Sequence, residues 1–242
     1  MYYYLLLVVP ALLVAMIAQL RVKSTFRRYS RYSTAARITG AQASFMIQKA
    51  NGISVPVQPI GGELTDHYDP TKNTIGLSDP VYAADSVSAV GVAAHETGHA
   101  LQYAEQYAPI RFRMALVPVT NFSATISPYL ILAGLIAGWD VLAYAGIALF
   151  SFSVLFQLVT LPVEFNASSR AIRILEGNGM LGESEITGAK KVLRAAAMTY
   201  VASLASSLFL VGTTVISYSA SAKMSRISAS FDLICAFPAL GL

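Results

Sequence analysis

Ala93-Ala94-His95-Glu96-Thr97-Gly98-His99-Ala100-Leu101-Gln102 carries the strongest chemical signal in the chain. Its centre has the pattern H-E-x-x-H. Residues four apart share a face of a helix, so His95 and His99 can offer imidazole nitrogens to one metal ion. Glu96 lies beside them, where it can take a proton from a water. Zinc suits two neutral imidazoles and a carboxylate, and a catalytic zinc keeps its fourth position open for water. A helix here is expected to start at Asp85 or Ser86, each a good N-cap, and the run to Gln102 contains no proline. The pattern also arises by chance, but the chain has only three histidines and the motif takes two of them.

Working outward, the composition points to lipid. Of 242 residues, 55% are hydrophobic and 12% are charged; soluble domains carry about 25% charged residues. The single cysteine, Cys235, excludes an intramolecular disulfide and any cysteine-based zinc site. Four stretches are long and apolar enough to span a bilayer, which takes about 20 residues. The first, 1–20, is followed at once by Arg21, Lys23, Arg27, Arg28 and Arg31. A cleaved leader would carry its positive charge before the apolar run, so this segment reads as a retained anchor. The second and third occupy 114–163, as a hairpin turned at Gly138-Trp139-Asp140, with Pro118 and Pro128 inside the second span. The fourth, 195–222, is rich in Ser, Thr, Ala and Gly, which favour helix–helix packing. A tail, 223–242, follows.

The basic residues set the orientation expected of these spans. Ten of the 17 Lys and Arg lie between Arg21 and Arg113 and five between Arg170 and Arg194. With four spans these two groups share one side, which the positive-inside rule places in the cytoplasm. The basic cluster after the first span reads as an anchor beside anionic lipid, so the net charge of +4 implies no nucleic-acid partner. The expected fold class is a mainly α membrane protein: about four transmembrane helices with a cytoplasmic zincin-like region, 21–113, that carries a small β-hairpin or sheet. Within it, Thr39 to Lys49 reads as a helix stopped by Asn51-Gly52. Ile53 to Ile60, with Pro56 and Pro59, can be only an edge strand or extended loop. Leu64 to Asp69 and Thr74 to Ser78 read as two strands, whose exposed edge could hold an extended peptide.

A third ligand must come from a carboxylate, because no histidine follows His99. Glu164 ends the third span, and nothing charged precedes it back to Asp140, so it is either a snorkelling end-cap or a ligand. Glu105 is too near His99 to wrap around the same ion, and Glu176, Glu183 and Glu185 look solvated.

Three motifs in order then carry a family resemblance: Leu64-Thr65-Asp66-His67-Tyr68-Asp69-Pro70, the H-E-x-x-H stretch, and Leu161-Pro162-Val163-Glu164-Phe165-Asn166-Ala167-Ser168-Ser169-Arg170-Ala171. Together they resemble the YugP-type neutral zinc metallopeptidases, which are similar to the HtpX and CAAX-prenyl membrane metalloproteases. The resemblance runs from about Thr39 to Tyr200. It implies one zinc per chain, held by His95, His99 and Glu164, with Glu96 as general base. Two departures stand out: Asn166 and Ser168 occupy positions where the related families place aspartates. His67 and Arg170 are the candidates for the donor that an oxyanion needs.

The implied activity is zinc-dependent endopeptidase action on peptide or membrane-protein substrates. The enzyme would be embedded in the lipid bilayer of a bacterial plasma membrane and would cut at its cytoplasmic surface, with the active site facing the cytoplasm. The reading from another class is a membrane scaffold with a structural zinc, which would need His67 as a fourth ligand.

Overall fold

The computed structural model describes residues 2–236; the end of the tail, from residue 237, lies outside the described residues. The elements are α1 (Tyr2–Tyr29), α2 (Gly40–Ala50), β1 (Val57–Ile60), β2 (His67–Asp69), β3 (Thr74–Ser78), α3 (Asp79–Tyr82), α4 (Val87–Ala104), α5 (Ala108–Ala137), α6 (Asp140–Gly177) and α7 (Glu183–Ala236). Four of them, α1, α5, α6 and α7, contain stretches long and apolar enough to cross a membrane. The chain is thus mainly helical with a small sheet. The helices run past the bounds read from composition: α1 continues through its basic cluster to Tyr29, and α6 is unbroken from Asp140 to Gly177. Charge ends an apolar run without ending a helix, because Lys and Arg are good helix formers.

The described chain divides into two compact units. One comprises 1–13, 118–155 and 205–242. Its α5–α6 turn passes through Gly138 at φ +64, a conformation that favours glycine, and the Trp139 N–H closes back on the Gly134 carbonyl at 2.9 Å. Trp139 itself is exposed.

The other unit, 14–117 with 156–204, is built around α4. Ser86 caps this helix by accepting from the Ala89 N–H at 3.2 Å, and most of its residues are buried. One face, through Val90, Ala94 and Leu101, packs with Ile47 of α2, Leu175 of α6 and Leu193 of α7. An adjoining face, through Ala89, Ala93 and Ala100, packs with Phe26 of α1, Leu77 of β3 and Val81 of α3. A helix enclosed on both faces needs small side chains, which explains its run of Ala and Gly. Gly98 shows the limit: a Cβ there would meet the Ala167 carbonyl oxygen at 3.0 Å, so its absence lets α6 approach between the two histidines.

The small sheet has three strands. Its order is β1-β3-β2, with β1 parallel and β2 antiparallel to the central β3. Pro59 sits on β1, where an edge strand tolerates a missing N–H. Only His67–Asp69 of the expected strand Leu64–Asp69 is extended. Leu64 has φ +61, and the Asp66 carboxylate accepts from the Ser78 N–H at 2.7 Å and from its hydroxyl at 2.9 Å. A side chain thus takes the donor that a longer ladder would have used.

Candidate metal centre

α4 presents His95 and His99 one turn apart, and their rings meet nearly edge to face at 84° with centroids 4.7 Å apart. Across the contact opened by Gly98, α6 brings Glu164. Glu164 Oε2 lies 3.2 Å from His95 Nε2 and 3.5 Å from His99 Nε2, and the two ring nitrogens are 3.2 Å apart. Metal bonds of about 2 Å at tetrahedral angles place neighbouring donor atoms about 3.3 Å apart. The three atoms therefore form one face of a tetrahedron of zinc-ligand size. Two imidazole nitrogens and a carboxylate oxygen are also the donor types zinc takes, and these three residues could hold one ion.

The far ring nitrogens are held as ligands require. Gln102 is on the same face of α4, at His99 plus three. Its amide donates to the Val163 carbonyl at 2.9 Å and to Asn166 Oδ1 at 2.9 Å. That fixes its oxygen toward His99 Nδ1, 3.0 Å away. An amide oxygen can only accept, so Nδ1 carries the ring proton and Nε2 offers its lone pair. Ser168, one turn beyond Glu164, places its Oγ 3.2 Å from His95 Nδ1. The two departures from the aspartates of related families thus have identifiable work. Ser168 partners His95, and Asn166 anchors Gln102.

Glu96 is buried and lines a cavity of about 200 Å³ together with Leu64, Asp66, His95, Glu164, Ser168 and Tyr200. Burial raises the Glu96 carboxyl above its ordinary range; His95 and His99 oppose that shift, while Glu164 and Asp66 add to it. A raised carboxyl is suited to exchanging protons near neutral pH.

His67 and Arg170 lie elsewhere. His67 is exposed on β2, with Nδ1 2.9 Å from the Thr65 carbonyl. Arg170 donates to Asn166 Oδ1 at 2.7 Å and to Glu105 Oε2 at 2.6 Å, and it covers the Tyr107 ring at 5.8 Å. It braces the end of α4 and the start of α5 against α6. Among the described residues, neither joins the three-residue group that could hold a metal. Two neighbours of Glu164 have no counterpart in the reading of the sequence. Arg113 Nη1 is 3.3 Å from Glu164 Oε1, and Tyr200 enters the cavity from α7 close to Glu164 and Glu96. Neither carries a motif. Arg113 reads as the last charge before a span, and Tyr200 as one aromatic among many in an apolar run.

Comparison with known proteins agrees with this chemistry. The family model described as "Putative neutral zinc metallopeptidase" matches residues 4–219. A curated relative, "Putative membrane protease YugP" of Bacillus subtilis (strain 168), is 47% identical over 207 residues, covering 85% of this chain and 92% of the relative. No solved structure matches. With the family model spanning most of the chain and the four apolar helices in place, this membrane protein belongs to the neutral zinc metallopeptidase family.

Proposed function

We propose that the chain is an endopeptidase that cuts peptide bonds at the cytoplasmic surface of a bacterial plasma membrane, with one zinc held by His95, His99 and Glu164. The observation that carries this reading is the three-donor group. Among the described residues it gathers three ligand atoms within 4.8 Å of one another and no fourth. A structural zinc is closed by four protein ligands, whereas three with an open position is the catalytic arrangement. The scaffold reading would need His67 as the fourth ligand, but that ring is exposed and engaged with Thr65.

When bound, zinc supplies a Lewis acid that polarises the scissile carbonyl and makes a water acidic enough to lose a proton near neutral pH. The residues do the rest. Glu96 accepts a proton from the attacking water and returns it to the departing amine, and its burial beside the histidines keeps it clear of bulk water. Gln102 and Ser168 hold the ring tautomers and orientations through both steps. Tyr200 lines the same cavity beside Glu164 and Glu96, and is closer than His67 or Arg170 to where a donor is needed by the oxygen on which negative charge develops. Leu64 and Asp66, at the entry to β2, line the cavity from the sheet side, where an extended substrate would lie.

The test uses the full chain in nanodiscs, a fluorogenic peptide and zinc measured by mass spectrometry. Glu96→Gln keeps the shape of the side chain and removes its basicity. Retained zinc with cleavage reduced by about 100-fold or more is the expected result. Cleavage at the wild-type rate would reject Glu96 as the base, and wild-type protein without zinc would reject the metal centre.

A further inference from the structure

We infer that Arg113 is a positioning residue that keeps Glu164 a one-oxygen ligand and so keeps a metal position open. The inference rests on the metal centre described above. The two oxygens of Glu164 face different groups: Oε2 lies against the histidine nitrogens, Oε1 meets Arg113 Nη1 at 3.3 Å, and Tyr200 also lies beside the carboxylate. The carboxylate side chain is only 3% exposed, so both oxygens must be satisfied by protein or metal. Carboxylates bind zinc through one oxygen or two, and the second mode would occupy the position that water and substrate need. A guanidinium against Oε1 engages the oxygen that the second mode would need.

Arg113 is itself well held. It leaves the first turns of α5, its guanidinium lies over the Phe156 ring at 5.9 Å, and its side chain is 26% exposed. The charge arithmetic favours the same role. Glu164 is a buried carboxylate among imidazoles that must be neutral to bind metal, and a buried charge is tolerated only when paired. Arg113 provides that pairing on the side away from the histidines. Its positive charge also draws electron density from the ligand, which leaves a bound metal more electrophilic and less tightly held.

The experiment is cobalt substitution of the full chain in nanodiscs, read by visible absorption, with zinc affinity measured by chelator competition. Four-coordinate cobalt absorbs strongly and five-coordinate cobalt weakly. In Arg113→Met the released Oε1 should turn to the metal, and the cobalt bands should lose about half their intensity or more as coordination rises from four to five. Zinc should be held at least as tightly as in wild type, with kcat/KM lower by about 10-fold or more. Arg113→Lys should restore the cobalt spectrum by returning a cation to Oε1. An Arg113→Met protein with an unchanged cobalt spectrum would overturn the inference. So would one whose zinc affinity falls without spectral change, since that marks a structural brace. If Arg113→Met fails to fold, Arg113→Leu, which is also neutral and has no hydrogen-bond donor, is judged by the same two outcomes. Wild-type protein that binds no cobalt would overturn the metal centre, and this inference with it.

Discussion

Ser168 Oγ stands 3.2 Å from His95 Nδ1, on the opposite side of the ring from the 3.2 Å contact between Nε2 and Glu164. One turn of α6 therefore supplies both a candidate ligand and the group that orients its neighbour. Serine is a weaker acceptor than the aspartate of related families, because it is neutral. Ser168→Ala should lower zinc affinity by about 10-fold, and Ser168→Asp should raise it above wild type. Chelator competition measures both. Equal affinities for Ala, Ser and Asp would show that His95 is oriented by packing alone.

Gln102 has the larger part, since its amide serves three partners: His99 Nδ1, the Val163 carbonyl and Asn166. Gln102→Leu removes all three interactions from a fully buried position. Leaving buried partners unsatisfied costs about 1–3 kcal/mol, so thermal unfolding should shift down by several degrees. Zinc affinity should fall by about 10–100-fold as His99 loses its tautomer lock. Gln102→Glu offers an instructive contrast. It keeps the acceptor for His99 but gives up the two donors, so zinc binding should survive better than stability. A Leu variant with wild-type zinc affinity would disconnect Gln102 from the metal centre.

The approach of α6 to α4 is set by Gly98, where an added Cβ would lie 3.0 Å from the Ala167 carbonyl oxygen. Gly98→Ala should be tolerated with a small backbone shift. Gly98→Val should force the helices apart at a cost of about 1–3 kcal/mol. Glu164 and Ser168 lie on that same segment of α6, so the Val variant should lose zinc binding before it loses its helical circular dichroism. Zinc retained at full affinity in a folded Gly98→Val protein would show that the helix contact does not place Glu164.

What the sequence revealed, and what it hid, follows from how each signal arises. The zinc helix was legible because the i, i+4 spacing of His95 and His99 is local. Glu164 is conspicuous as a charge at the end of a long apolar run, but that position alone left it open between an end-cap and a ligand, and the family resemblance pointed to a ligand. The four apolar helices follow from composition, which needs no tertiary information. The failures are all cases in which a partner comes from a distant part of the chain. Leu64 to Asp69 reads as a strand, but Asp66 reaches Ser78 and ends the ladder three residues early. β1 pairs in parallel with β3 because of its docking, and periodicity over four residues with a proline cannot show that. Arg113 and Tyr200 meet Glu164 only after α5 and α7 are placed. Arg170 is a candidate donor that lies six residues past Glu164, on a different helix face. On a helix that spacing points it away, toward Glu105 and Tyr107.

The position of Glu164 along α6 also bears on where substrates are cut. One continuous helix, Asp140–Gly177, carries the apolar run and then Glu164. A helix rises about 1.5 Å per residue, and Glu164 directly follows Val163, the last residue of that run. On the proposed function, with the lipid boundary at the end of that run, a zinc about 2 Å from the carboxylate would lie near the level at which the helix leaves the lipid. Chains tethered in the bilayer would be delivered to this level, whereas soluble chains would have to find it by diffusion. A membrane protein with a disordered cytoplasmic stretch should therefore be cut within a few residues of the bilayer, and faster than the same stretch free in solution. Mass spectrometry of the fragments from a nanodisc-embedded substrate, beside the free peptide, measures both. Equal rates, with cuts scattered along the peptide, would show that membrane position does not select the substrate.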